Sequence, residues 1–269
     1  MDTTDFCYVR DLVQRRAAIV LETEKTYLVE SRLQPLARRE GFLNIAELVA
    51  KLRMSATGEL HGRVVEAMTT NETSFFRDLQ PFEAFRKVIL PELIAKRATR
   101  QLRIWCAACS TGQEPYSIAM LLREHFPQLA TWDVKILATD LSTQVLEKAR
   151  SGSFNQIEVN RGLGAPYLSK YFDRQGLTWQ LKAPIRQMIE FRHMNLIEPW
   201  PTLPSMDVVF IRNVLIYFDI QTKKDILRRV RHLLRPDGYL FLGGAESTMN
   251  LDDSFVRTEV EKFSVYRLR

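Results

Sequence analysis

A short stretch of small residues, Ala108 to Gly112, follows an apolar run and precedes a segment that favours a helix. The apolar run, Leu102 to Ala107, is typical of a strand buried in a parallel sheet. Pro115 suits the first turn of a helix, since its missing N–H is not needed there. Small side chains let a backbone pass close to a ligand, and Gly112 can adopt a positive φ. The order of strand, tight loop and helix predicts a ligand site at the carboxyl end of the strand.

The residues of this loop favour a ligand that carries no phosphate. The loop lacks the G-x-G-x-x-G spacing of a dinucleotide site, and the carboxylate of Glu114 would repel a phosphate. S-adenosylmethionine (SAM) fits better, because it has a ribose, an amino group and a positively charged sulfonium. Asp140 ends the next predicted strand, where a carboxylate could accept hydrogen bonds from both ribose hydroxyls. Two alternatives stay open: a strand-to-helix turn without a ligand, and Asp140 as the acidic start of a helix capped by Ser142.

The rest of the chain alternates strands and helices and so predicts the sheet that positions these loops. Further strands are expected at 134–140, 188–195, 206–212 and 239–243, with a helix at 223–234, a turn at 236–238 and a terminal hairpin at 255–268. Such a βαβ series predicts a mainly parallel sheet covered by helices on both faces. Leu177 to Leu181 alternates in strand fashion after a turn at 173–176, which predicts a small antiparallel insertion at about 171–190.

Residues 1–70 are expected to form an all-helical domain. Apolar residues recur there at helical spacing in four segments. Gly41 is placed to end the second helix, and Asn44 with Glu47 to begin the third. Residues 71–80 form a linker segment, but Phe75 and Phe76 would not be left in solvent, so this segment should pack on the domain at 81–269. That domain is expected to open with an amphipathic helix at 81–96.

Composition excludes several classes of protein. The three cysteines form no even disulfide framework, and the Cys-x-x-Cys pair at 106–109 lacks the further ligands of a zinc site. No apolar run is long enough to span a membrane and the start is polar, so we expect a cytoplasmic protein without membrane insertion. The formal net charge of +6 suggests an acidic partner. No run of five basic residues and no RNA-binding aromatic motif accompanies it, so nucleic acid is not the expected partner.

Four stretches together resemble the CheR-type chemotaxis receptor methyltransferases, and the likeness extends over nearly the whole chain. They are Asn71-Glu72-Thr73-Ser74-Phe75-Phe76-Arg77, the loop at 103–116, Asn195-Leu196 and Arg212-Asn213-Val214-Leu215-Ile216-Tyr217-Phe218. The resemblance implies methyl transfer from SAM to glutamate side chains on the cytoplasmic helices of chemoreceptors, leaving S-adenosylhomocysteine. It also implies an N-terminal helical domain, a Rossmann-like class I SAM-dependent methyltransferase domain and a small antiparallel β-subdomain.

The resemblance also assigns residues to the site. The cofactor-binding set that it implies is Asn71, Thr73, Arg77, Glu114, Asp140, Asn195, Leu196, Arg212 and Asn213. Glu114 would bind the methionine end, Asp140 the ribose, Asn195 and Leu196 the adenine, and Arg212 with Asn213 would lie beneath the sulfonium. Arg77 and Tyr217 would be catalytic, orienting the incoming carboxylate near the methyl group. Taken alone, a tyrosine such as Tyr217 is more often a half-buried core aromatic. No metal site is expected, and none of the four histidines receives a role.

The partner that the resemblance implies is the cytoplasmic domain of a methyl-accepting chemoreceptor, bound by a monomer. Candidates for a basic docking face are Arg38, Arg39, Arg53 and Arg63. The turn at 173–176 lacks the longer glycine-containing loop of family members that bind a receptor's C-terminal pentapeptide, so no such tether is expected. Two other functions stay open: a nucleic-acid methyltransferase, although residues 212–215 differ from Asp/Asn-Pro-Pro-Tyr, and a signalling scaffold that binds SAM or its product without turnover.

Overall fold

The computed structural model describes residues 1–55 and 57–269, and its first part is helical. The helices of this part are α1 (Thr3–Ala17), α2 (Thr26–Arg39), α3 (Ile45–Arg53) and α4 (Glu59–Met68). Their apolar faces pack into one core that includes Val9, Leu33 and Leu48. Gly41 follows the end of α2 with φ +83°, as expected. The Asn44 side chain caps α3, but Glu47 accepts from the N–H of Leu43, so only half of a capping box forms.

The helix expected at 81–96 is wrong in one respect, because a π-helical segment interrupts it. It consists of α5 (Gln80–Ala84), a π segment (Phe85–Ile89) and α6 (Leu90–Lys96). The N–H of Leu90 donates to the carbonyl of Phe85, five residues back. Pro91 follows directly and has no N–H to give to the carbonyl four residues before it, so the ordinary ladder is broken at this place.

A seven-stranded sheet forms the centre of the remaining chain. The strands of the chain are β1 (Gln101–Ala107), β2 (Asp133–Asp140), β3 (Ser153–Asn155), β4 (Phe172–Gln175), β5 (Thr178–Leu181), β6 (Ile189–His193), β7 (Met206–Ile211), β8 (Leu234–Leu242), β9 (Phe255–Val260) and β10 (Phe263–Leu268). The order in the large sheet is β6-β2-β1-β7-β8-β10-β9. Its first five strands are parallel and the terminal hairpin is antiparallel, which confirms the predicted mainly parallel sheet.

Helices connect these strands and cover the sheet. They are α7 (Gln113–His125), α8 (Thr143–Ser151), α9 (Gln156–Asn160), α10 (Ala165–Tyr171), α11 (Ala183–Arg186) and α12 (Ile220–Leu233). The chain leaves β1 toward β2 on one side and returns to β7 on the other. The strand order therefore reverses at β1, and a crevice opens where β1, β2 and β7 end. No helix among the described residues is long and apolar enough to cross a membrane.

Two expected boundaries are wrong. The small antiparallel sheet has the order β3-β5-β4 and extends over residues 153–181, whereas the expected insertion covered about 171–190. β3 has only three residues, too few for a sequence pattern, and residues 189 and 190 belong to β6 of the large sheet. The turn expected at 236–238 lies inside β8 instead. Leu234 pairs with Met206 across a register shift, so the strand begins before the turn residues.

Candidate active site

The loop after β1 turns sharply under the carboxyl edge of the sheet. Ala108, Ser110 and Gly112 all have positive φ, although only Gly112 was expected to. A Cβ on Gly112 would lie 3.0 Å from the Cβ of Ala149, so glycine suits this position sterically as well. The Ser110 hydroxyl donates to the carbonyl of Asn71 at 2.8 Å. This loop therefore holds the interdomain segment against the end of β1.

All ten residues that the resemblance assigned to the site line one cavity. Its volume is about 920 Å³, including the open mouth. The ten are Asn71, Thr73, Arg77, Glu114, Asp140, Asn195, Leu196, Arg212, Asn213 and Tyr217. Their positions in the chain span almost 150 residues, and the topology brings them to the carboxyl ends of β1, β2 and β7. Such a crevice is where open α/β sheets bind ligands.

Asp140 is a buried carboxylate at the end of β2. Its Oδ2 accepts from the N–H of Ser110 at 2.8 Å, and its Oδ1 accepts from the N–H of Ser142 at 2.9 Å. Burial raises the pKa of Asp140 above its ordinary value, while these N–H groups favour the charged form. The N–H of Leu141 also contributes, and of the roughly four acceptor positions of a carboxylate at least one stays open for a further donor. The carboxylate is thus fixed in place with unused acceptor capacity that a diol could fill.

Glu114 and Arg212 form a buried ion pair in the cavity wall. Arg212 Nη1 donates to Glu114 Oε2 at 2.9 Å, and its Nη2 donates to Asp78 Oδ2 at 2.7 Å and to the carbonyl of Arg77 at 3.0 Å. Burial raises the pKa of Glu114, and the Arg212 charge opposes that rise. Arg212 Nε is buried and has no hydrogen-bond partner among the described residues. Arg212 therefore carries one buried donor that the described residues leave unsatisfied.

The linker segment, residues 71–80, lines the cavity with several residues, among them Arg77. Arg77 is half-buried, and its Nη1 donates to the carbonyl of Glu72 at 2.9 Å. Phe76 and Asp78 on either side have positive φ, a conformation that costs energy in residues other than glycine. The burial of Phe75 offsets much of this conformational energy, since its side chain is fully buried and its ring lies edge-on to Phe154, with the ring centroids 5.0 Å apart. The expected packing of this segment is therefore present.

Asn195 and Tyr217 also line the cavity. The Asn195 Nδ2 donates to the carbonyl of Arg16 at 2.7 Å and to Glu198 at 3.1 Å. Since these bonds engage the amide nitrogen, we expect Asn195 to meet a ligand mainly through its backbone, beside Leu196. Tyr217 is half-buried at the end of a 3₁₀ turn, and its carbonyl accepts from the N–H of Val20 at 3.0 Å.

Several residues of the site gave no signal in the sequence analysis. Ala17 and Ile19, at the end of α1, line the cavity, so the helical domain contributes to its wall. Glu66, in the last turn of α4, accepts from the Ser142 hydroxyl at 2.9 Å and from the Thr143 hydroxyl at 2.9 Å, at the start of α8. Glu246 accepts four backbone N–H groups beside the cavity. These contacts join residues far apart in the chain, so no local spacing could have revealed them.

Comparison with known families gives two matches that together cover nearly the whole chain. Residues 71–264 match the family described as CheR methyltransferase, SAM binding domain. Residues 4–69 match CheR methyltransferase, all-alpha domain.

Similar full-length proteins carry related names. Chemotaxis protein methyltransferase 1 of Pseudomonas aeruginosa is 43% identical over 270 residues, covering 98% of this chain and 98% of its own. Chemotaxis protein methyltransferase Cher2 of Pseudomonas putida is 41% identical with the same coverage of both chains. The chemotaxis protein methyltransferase of Salmonella typhimurium is 38% identical over 256 residues, covering 93% of this chain and 86% of its own.

Proposed function

The chain belongs to the CheR methyltransferase family and is a SAM-dependent methyltransferase, and we propose that it methylates glutamate side chains on the cytoplasmic helices of chemoreceptors. The family confirms the resemblance that the four sequence stretches indicate. The reaction would serve adaptation in chemotaxis, and the enzyme would act in the cytoplasm, where those receptor helices lie. We also propose the division into a helical domain at 1–70, an active-site segment at 71–80 and a methyltransferase domain at 81–269.

The observation that carries this function is the convergence of the ten residues on one cavity with two buried carboxylates, Glu114 and Asp140. These carboxylates disfavour a phosphate and suit a ligand with hydroxyls and positive charge. Asp140 keeps acceptor capacity for a ribose diol. When bound, SAM would supply a methyl group activated by the positive sulfur.

We assign the acceptor side of the cavity to Arg77 and Tyr217. A glutamate is ionised near neutral pH, so its methylation needs no general base. The protein must then hold the carboxylate in line and exclude water, which is catalysis by proximity and orientation. The bond from Arg77 to the Glu72 carbonyl fixes the guanidinium and leaves its other N–H groups for a carboxylate. Arg212 is less suited to this role, because three of its five N–H groups already bind Glu114, Asp78 and the carbonyl of Arg77.

A transfer assay tests this function directly. The protein is incubated with methyl-labelled SAM and either the cytoplasmic fragment of a chemoreceptor or RNA. We expect label in the receptor fragment, and mild base should release it, because carboxyl methyl esters hydrolyse where N-methyl groups do not. A fragment with its acceptor glutamates changed to glutamine should take up no label. Label that enters RNA, or that resists base in the protein, would refute the proposed substrate.

For the docking face, we favour two of the four candidate arginines. Arg53 pairs with Asp5 at 3.0 Å, and Arg63 pairs with Glu40 at 2.6 Å. Arg38 and Arg39 are exposed at the end of α2, so we propose that these two meet the acidic receptor helix. Arg38→Glu with Arg39→Glu should slow methylation while the affinity for S-adenosylhomocysteine stays unchanged. Equal rates for the variant and the wild type would remove this role.

We further propose that the protein acts as a monomer and without a pentapeptide tether. The hairpin of β4 and β5 turns over only two residues, Gly176 and Leu177, and so offers no extended loop to hold a peptide. Calorimetry with a peptide that ends in a receptor pentapeptide should detect no binding at micromolar concentrations. Sedimentation at working concentration should give the mass of one chain. Micromolar peptide binding, or a stable dimer, would contradict the respective proposal.

A further inference from the structure

Glu246 is a buried carboxylate in the loop after β8, and it lies behind the cavity wall without lining the cavity. Its Oε2 accepts from the N–H of Gly243 at 2.6 Å and of Asn213 at 2.8 Å. Its Oε1 accepts from the N–H of Val214 at 2.9 Å and of Ile216 at 3.3 Å. One side chain thus satisfies four backbone donors on two separate loops, and bonds to a charged acceptor are the stronger kind.

The bonds to Glu246 shape the segment that follows β7. Asn213 has φ +60°, and residues 215–217 form a single 3₁₀ turn, so this segment has few backbone hydrogen bonds of its own. Successive N–H groups that point into one concavity form an anion site, and here the anion is a side chain of the same protein. The two loops also touch closely. A Cβ on Gly243 would lie 2.8 Å from the nitrogen of Asn213 and from Oε2 of Glu246.

We propose that Glu246 is a positioning residue that sets the acceptor side of the active site through the segment 213–217. This segment places Asn213, Val214 and Tyr217 in the cavity wall. Glu246 makes no hydrogen bond to Glu114 or Asp140, the two buried carboxylates of the cavity. Tyr217, at the end of this segment, is assigned to the methyl acceptor, whereas Asn213 is only one of nine residues assigned to the cofactor. A disturbance at Glu246 should therefore alter the alignment of the acceptor more than the binding of the cofactor. The inference rests on the proposed function only for the identity of that acceptor.

Glu246→Gln is the sharpest perturbation, because it preserves shape and changes one acceptor into a donor. Each carboxylate oxygen accepts two N–H groups, so either orientation of the amide places its NH₂ against two backbone donors. We expect kcat for methyl transfer to fall about 30- to 100-fold, the scale of a displacement of about 1 Å in an aligned site. The dissociation constant of S-adenosylhomocysteine should change by less than about threefold, a small fraction of the kcat loss.

Asp207→Asn provides the matched control. Asp207 is a buried carboxylate at the start of β7, about 20 Å along the strand from Asn213. It accepts from Arg97 Nε at 2.6 Å and from the N–H of Arg103 at 2.7 Å, so it also holds a charge and a backbone group. This variant should lower the melting temperature and leave kcat unchanged below it. Glu246→Asp keeps both oxygens and should recover part of the lost kcat.

Amide hydrogen exchange gives a readout that needs no methyl acceptor. Exchange at residues 213–216 should rise in Glu246→Gln and stay at the wild-type level in Asp207→Asn. If the wild type fails to methylate receptor fragments, the proposed substrate is wrong, and the exchange result still decides the role of Glu246. If Glu246→Gln does not fold, Glu246→Asp takes its place, with lower kcat and unchanged cofactor affinity expected. Wild-type kcat and wild-type exchange in the folded variant would overturn the proposal, as would equal losses of kcat and cofactor affinity.

Discussion

Arg77→Ala tests the chemistry of the acceptor side most directly. An arginine has five N–H donors, and within residues 1–55 and 57–269 only one of those on Arg77 has a partner, the Glu72 carbonyl. Two hydrogen bonds from a guanidinium to a carboxylate contribute about 1.5–3 kcal/mol each before desolvation is subtracted. If about 3–4 kcal/mol of this is realised in the transition state, kcat/KM should fall by about 10²- to 10³-fold. Affinity for S-adenosylhomocysteine should fall by less than about tenfold, because other residues hold the cofactor.

The effect on folding should be small by comparison. Alanine removes one hydrogen bond to a backbone carbonyl at a half-buried position, a loss of about 1 kcal/mol. For a chain of this size the melting temperature should then drop by about 2–4 °C. Assays at 25 °C would compare variants that are all folded. A loss of turnover of the expected size therefore could not come from unfolding.

Two further variants separate the geometry of Arg77 from its charge. Arg161 pairs with the same neighbour, Glu72, at 2.8 Å but does not line the cavity. Arg161→Ala therefore removes the same charge nearby and should leave turnover within about twofold of the wild type, the usual size of a surface charge effect. Arg77→Lys restores the charge without the planar fork and should recover only part of the rate. Turnover of Arg77→Ala within about threefold of the wild type would refute the reasoning, given the loss of about 10²-fold that an aligned group implies.

Two other predictions concern the cofactor side. Glu66→Ala removes an acceptor for two hydroxyls at the start of α8, and we expect a loss of about 1–2 kcal/mol, the value of a helix cap, measured by calorimetric melting. Glu59→Ala, at an exposed pair with Arg63, should change nothing, and equal melting of both variants would contradict the capping role. Burial raises the pKa of Asp140 above the ordinary value of 3.8. Because a diol needs the ionised carboxylate as acceptor, affinity for S-adenosylhomocysteine should fall on acidification, and this fall should begin at a higher pH than the titration of an ordinary aspartate would give. Asp140→Asn should bind more weakly with a flatter pH dependence, and an unchanged profile would exclude Asp140 as the titrating group.

Local patterns in the sequence were sufficient for most of the architecture. Alternation of apolar runs and helical segments determined the parallel sheet, and the small residues at 108–112 determined where its ligand loop turns. Pattern reasoning failed where an element is very short or a ladder is irregular. Examples are the three residues of β3, the π segment before Pro91 and the start of β8 at Leu234. In each case the structure was decided by pairing with distant residues or by a missing backbone N–H. Neither of these causes produces a hydrophobic periodicity that can be recognised in the sequence.

The sequence by itself determined which residue types are present for the chemistry and the family motifs that contain them. Only the tertiary structure decided how those residues hold one another in place. Arg212 meets Glu114 across 98 positions of the chain, and Glu246 reaches back more than thirty to the backbone of residues 213 and 214. The physical reason is that a buried charge costs free energy unless it is paired or hydrogen-bonded. The order of the strands in the sheet, and not the distance along the chain, decides which partners lie near enough to do this.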